Sequence, residues 1–166
     1  MKRILLFTAA FFFQAAFAKG VYQTPEAFLT QVFDGNIPSL SSVWLTKDKK
    51  EVISNFLQHK PSFIRVKYWR NGEKTAWILS EVGKEKPITV GVVIKSGKIQ
   101  QLKVLTFRES RGWEVKHNFF TRQFVNVGIN QEQQLNKHID GISGATLSVR
   151  ALKKIARIAL YLEQQL

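Results

Sequence analysis

Ile88-Thr89-Val90-Gly91-Val92-Val93-Ile94, closed by Ser96-Gly97 and continued from Lys98 to Phe107, is the stretch that decides the fold. The first run is β-branched almost throughout, and Ser96-Gly97 is a tight-turn pair that sends the chain back as a second strand. Upstream, Phe63-Ile64-Arg65-Val66-Lys67-Tyr68-Trp69 has the same β-branched and aromatic character. Asn71-Gly72 is a strong hairpin signal, and Lys74 to Val82 pairs back, carrying Trp77, Ile78 and Leu79. Gly83 to Pro87 is a loop. The expectation is an antiparallel sheet of about four strands in up-down order, within an α+β domain. Such a sheet needs a cover, which the flanking helices can supply.

Thr24-Pro25-Glu26 reads as an N-cap, a proline at the first helical position and an acidic first turn. It opens a short helix to about Phe33 with a stripe of Phe28, Leu29, Val32 and Phe33. Asp34-Gly35-Asn36 ends it, and Pro38 to Ser42 reads as loop. Thr46 or Asp48 caps a second helix through about Gln58, with Val52, Ile53, Phe56 and Leu57 facing in. Beyond the sheet, Glu109-Ser110-Arg111-Gly112 breaks the pattern. A short amphipathic helix is expected over Trp113 to Phe124. The stretch from Asn126 to Asp140 reads as mostly irregular, anchored by Val127, Ile129 and Leu135. A final helix after Thr146 runs to about Gln164, with Leu152, Ile155, Ala156, Ala159 and Leu162 as its stripe and Arg150, Lys153, Lys154 and Arg157 largely outside it.

The N-terminus carries a separate message. Met1-Lys2-Arg3 is basic, Ile4 to Phe17 is nearly all apolar, and Ala16-Phe17-Ala18 is a small-x-small cleavage site. This is the layout of a secretory signal peptide. Cleavage after Ala18 leaves 148 of the 166 residues, one ordinary domain. The expected organisation is a signal peptide over 1–18, a helical segment over 19–62 and a sheet-bearing domain over 63–166, the last two forming one globular unit. An uncleaved anchor is the alternative. The expected location is the periplasm, and an association with the inner membrane stays open.

Cysteine is absent, which excludes disulfides, thiol catalysis, Cys-ligated metals and c-type haem. The formal charge is +13, lowered by two to about +11 once Lys2 and Arg3 are removed. The basic residues are spread along the chain and no nucleic-acid motif is recognisable, so nucleic acid is not an expected partner. An acidic protein face, an anionic cofactor or an anionic lipid surface suits the charge better. His59, His117 and His138 are not at metal-ligand spacing, and no paired carboxylates or Ser-His-Asp set suggest catalytic residues.

The stretch Asp140-Gly141-Ile142-Ser143-Gly144-Ala145-Thr146 stands at the mouth of the final helix. Gly141 and Gly144 let the backbone approach a ligand without a Cβ in the way. A helix start offers free N–H groups and a positive dipole end, which favours a phosphate. Physically this is an anion site with a threonine hydroxyl directed at it, although the same run also serves as a plain helix cap.

The pattern Asp-x-x-Ser/Thr-Gly-Ala-Thr resembles the flavinylation motif of the FMN-binding domain family, which includes the FMN-bearing periplasmic subunits of the sodium-pumping NADH:quinone reductase and the Rnf complex. The resemblance extends over Thr75 to Val149, through Gly83-Lys84, Pro87-Ile88-Thr89, Ser96-Gly97-Lys98-Ile99, Arg108-Glu109-Ser110 with Gly112-Trp113-Glu114, Gln123-Phe124 and Ile139-Asp140. Val21 to about Ser62 is not specifically covered. The resemblance implies FMN joined through its phosphate to Thr146 by a flavin transferase, with Ser143 and Ser148 as rival hydroxyls. Ser143 is expected to cap the helix or bond the phosphate. Asp140 belongs to the sequence read by the transferase, or bonds the backbone of the Gly141–Gly144 turn; Gly144 and Ala145 complete the motif. Glu109, Ser110 and Gly112 would lie near the flavin, Gly112 allowing close approach, with Trp113 a candidate to stack on the ring and Lys84 to reach the phosphate or ribityl chain. The function implied is a periplasmic electron-transfer flavoprotein of a membrane-associated respiratory chain, meeting membrane or periplasmic redox partners through their acidic faces. Two other readings stay open: a small flavin-dependent reductase acting on a soluble or extracellular acceptor, and a non-flavin module that binds cell-envelope polymers.

Overall fold

The computed structural model describes residues 20–166. The signal peptide and cleavage site expected from the sequence lie outside the described residues. Five antiparallel strands form one sheet in sequential order: β1 (Leu40–Trp44), β2 (Arg65–Asn71), β3 (Lys74–Val82), β4 (Pro87–Lys95) and β5 (Lys98–Thr106). Both hairpins fall where the turn signals put them, with Asn71 opposite Lys74 and Lys95 opposite Lys98.

The fifth strand is β1, in the stretch read as loop. It pairs with β2 through Val43 opposite Val66, and only Val43 along it is buried. An edge strand with Ser41 and Ser42 at its centre and one inward side chain carries too little alternation to be read from sequence.

Helices cover both faces of the sheet. On one face α1 (Pro25–Val32) packs Phe28, Leu29, Val32 and the adjoining Phe33 against Ala76, Val93 and Leu105. Its cap is as expected, with Thr24 Oγ1 accepting from the Ala27 amide at 3.1 Å. The other face receives α2 (Lys47–Leu57), capped by Thr46, and the long α4 (Thr146–Glu163). The expected stripe of α4 is buried throughout, against Trp77, Val90, Val92 and Ile94. Trp77 stacks on Tyr68 with centroids 5.0 Å apart, and its Nε1 donates to Thr75 and to Glu163 at the end of α4.

Gly91 shows why two covers fit one sheet. A Cβ there would lie 2.5 Å from the ring of the fully buried Phe28. The missing side chain is therefore the seat of α1 on β4. We expect Gly91→Ala to destabilise the protein by about 1–3 kcal/mol through overpacking. A urea denaturation midpoint that does not fall would refute this.

The helix expected over Trp113 to Phe124 is broken into three. A 3₁₀ turn (Trp113–Lys116) and the single turn α3 (Asn118–Thr121) are separated at His117, whose ψ of 151° is extended; a second 3₁₀ turn covers Arg122–Phe124. Buried Val115, Phe120 and Phe124 anchor the segment. Their spacing of five and then four does not keep one helical face inward, so packing wins over helix continuity. Asn126 to Asp140 is irregular as expected, with a single bridge between Ile129 and Leu135. The chain at 20–22 adds itself to the end of β5, where the Tyr22 amide donates to Leu105 O at 2.9 Å and the Phe107 amide to Gly20 O at 2.8 Å.

Candidate functional site

Thr146 is the first residue of α4 and is exposed. The preceding N-cap position is Ala145, which has no side chain to cap with. The Ala145 amide donates to Ile142 O and the Val149 amide to Ala145 O, while among the described residues the amides of Thr146, Leu147 and Ser148 have no protein acceptor. Uncapped donors at the positive end of an 18-residue helix form an anion-favouring field around the Thr146 hydroxyl. Gly144, at φ +79°, makes the turn into the helix, and there is open space both where its Cβ would be and where that of Gly141 would be.

The rival hydroxyls separate by exposure. Ser148 is 4% exposed and faces inward, whereas Ser143 is exposed in the turn. Ser143 does not cap the helix: the turn ends two residues before α4 begins, and the cap position belongs to Ala145. Nor does Asp140 bond the Gly141–Gly144 backbone. Its carboxylate lies in solvent 3.6 Å from His138 Nε2, and its backbone amide donates to Gln123 Oε1 at 2.8 Å.

A cleft of about 480 Å³ opens beside Thr146 and brings together Lys84, Glu109, Ser110, Gly144 and Ala145. These residues come from the β3–β4 turn, the chain after β5 and the α4 entry, three segments distant in sequence. Glu109 organises the first of them. Its Oε1 accepts from the Lys84, Glu85 and Lys86 amides, the last two at 2.8 and 3.0 Å. Gly83 is part of the same device, because a Cβ there would lie 2.8 Å from that oxygen. Burial opposes the charge on Glu109, but the three amide donors and the Lys84 ammonium outweigh it and hold the carboxyl below its usual range. With a depressed folded pKa, its contribution is present above the ordinary carboxylate range and is lost as pH falls through the folded value. We expect Glu109→Gln, and acidification of the unsubstituted protein, to lower the protection of the Lys84, Glu85 and Lys86 amides relative to their intrinsic exchange rate at each pH; unchanged protection would show that the turn holds itself.

Two expected contributors sit elsewhere. Gly112 is buried at φ +82°, and a Cβ there would lie 2.6 Å from Ser148 Oγ and 3.4 Å from Ala145 Cα. The close approach it allows is to the first turn of α4. Trp113 does not line the cleft; 47% exposed, it meets His117 edge-on at 5.3 Å, with the Lys116 ammonium 5.1 Å from its ring. Lys84 lines the cleft, with its ammonium 3.4 Å from the Glu85 carboxylate. Lys154, grouped in sequence with the outward basic residues of α4, is turned inward. Its ammonium is 2.9 Å from Glu81 and donates to Leu57 O at 2.6 Å. Sequence gave no sign of this, since Glu81 lies 73 positions away.

The long helix thus presents an uncapped first turn and an exposed hydroxyl to a cleft of about 480 Å³. Residues 83–161 match the family model of the FMN-binding domain. By this match the segment is an FMN-binding domain, which supports flavin binding by the chain. No curated protein matches it.

Proposed function

We propose that this protein is a periplasmic electron carrier with FMN joined through its phosphate to Thr146. The observation that carries the reading is the exposed Thr146 hydroxyl beside three free amides and above the cleft of about 480 Å³. The residues present fit the group. The amides of Thr146, Leu147 and Ser148 would hold the phosphate, Lys84 would add charge on the opposite wall, and Gly144, Ala145 and Ser110 would bound the remainder of the molecule. When bound, the flavin supplies electron transfer in steps of one or two. The chain's own part is to tether, to orient and to offer a docking face. A phosphoester suits an exported protein, because a dissociated cofactor would be lost outside the cytoplasm. Asp140, exposed at the head of the motif, is available to a flavin transferase. The test is the intact mass and visible spectrum of protein secreted by cells that contain such a transferase. A colourless product at the bare polypeptide mass would overturn the reading.

The donors and acceptors of this carrier would present acidic faces, matching the excess of positive charge. Arg150 and Lys153, on the outward side of α4 near Thr146, are the docking residues in this reading. Reversing both to Glu is expected to slow electron transfer about tenfold or more at low salt, with the flavin spectrum unchanged. The check is stopped-flow oxidation by the acceptor across a salt series. A rate indifferent to salt and to both reversals would assign the charge another purpose.

A further inference from the structure

A second, larger cleft of about 730 Å³ lies on the other side of Thr146, between the end of α2, the 130–138 loop and the outer side of α4. Every lining side chain with a permanent charge is basic: Lys137, Arg150, Lys153, Lys154 and Arg157. Glu81 already neutralises Lys154. Arg157 is different. It is half-buried, with its guanidinium carbon 4.2 Å from the Phe56 ring centroid, and its Nε donates to Gln133 O at 3.0 Å. Among the described residues its two terminal nitrogens meet no acceptor and no carboxylate, and they are not sealed from solvent. Burial pushes its pKa down, yet a guanidinium stays charged in a protein.

A cation held at a protein wall without a counter-ion carries a desolvation cost that an incoming anion offsets. The free edge of the guanidinium is a planar fork that matches a carboxylate with two parallel hydrogen bonds. Phe56, Leu135 and Val149 add apolar surface, which a bare inorganic anion would leave uncovered. The volume suits a small molecule, and the anchoring charge is less exposed than the surrounding Arg150 and Lys137. We propose that this cleft is a binding site for a small organic anion that carries a carboxylate on an apolar body, with Arg157 as its anchor. The site does not depend on the flavin reading, although Thr146 borders both clefts.

Phthalate is the probe, measured by calorimetric titration and thermal unfolding on the flavin-loaded protein and on Thr146→Ala. The controls are benzamide as the uncharged aromatic, inorganic phosphate as the bare anion and hexaglutamate as an acidic peptide. Phthalate should bind both forms and raise their unfolding temperature, and benzamide should not. Arg157→Lys should weaken phthalate about tenfold and Arg157→Gln about a hundredfold, the loss of a charge-assisted bidentate pair. The ligand-free unfolding of each variant is the folding control, and Arg157→Lys keeps the test alive if the Gln variant does not fold. Phthalate binding undiminished in both variants would overturn the proposal. So would phosphate binding as tightly as phthalate. Binding of hexaglutamate without phthalate would also overturn it and mark the cleft as a protein-docking groove.

Discussion

Thr146→Ala should abolish covalent flavin completely while leaving the fold unchanged. Thr146 is exposed at the first helical position, its side chain caps nothing, and Ala is a favourable residue in a helix. The intact mass of the purified variant should equal that of the bare polypeptide, whereas the unsubstituted protein should exceed it by one FMN less one water. Far-ultraviolet circular dichroism and the unfolding midpoint should match between the two. Ser148, buried under Gly112, is poorly placed to substitute; exposed Ser143 is the hydroxyl to examine next. Yellow colour that survives denaturation of Thr146→Ala would move the attachment to Ser143 and sink the assignment.

Lys154→Met should destabilise the protein by about 3 kcal/mol. The substitution removes the ammonium from a carboxylate that is itself only 6% exposed, and one-sided removal of a buried pair leaves an uncompensated charge. The same ammonium satisfies Leu57 O at the end of α2, so the loss also loosens the α2–α4 contact. His59, 3.2 Å from Glu81 Oε1 and half exposed, keeps part of the charge balanced when protonated. Adding Glu81→Leu to Lys154→Met should recover most of the loss, because a well-packed apolar pair often equals a buried ion pair. Urea denaturation of the three proteins is the measurement. A cost below about 1 kcal/mol for Lys154→Met would mean that water already screens the pair.

What could be read in advance was set by locality. Asn71-Gly72, Ser96-Gly97, Thr24-Pro25 and the α4 stripe each encode their structure within a few neighbouring residues, and each forms as expected. The misses are non-local. β1 exists because β2 offers it an edge, not because Leu40-Ser41-Ser42-Val43-Trp44 prefers to be a strand. The breaks between Trp113 and Phe124 follow from where Val115, Phe120 and Phe124 must be buried. In the site, Thr146, Gly144 and Lys84 were legible as motif and turn residues, and the structure brings them to one cleft. Glu109 was singled out as a neighbour of the ligand but also serves as the staple of the 83–86 turn, a role that needs coordinates to see. Gly112 shows the same limit: its glycine character is legible, but its partner, Ser148, is not.

The Gly91 socket has a consequence for where this protein can be cut. The family match begins at Gly83, yet the ring that fills the socket is Phe28 and the aromatic body under α4 is Trp77, both upstream of it. α4 is held at its middle by Glu81, through Lys154, and at its C-terminal end by Thr75 and Arg70, through Glu163. None of these anchors travels with residues 83–161. The motif-bearing helix is therefore not a cassette that can be grafted alone: transplanted without α1 and the first three strands, it would carry the attachment threonine on a helix with no clamps, over two strands left bare on the face that α1 covers.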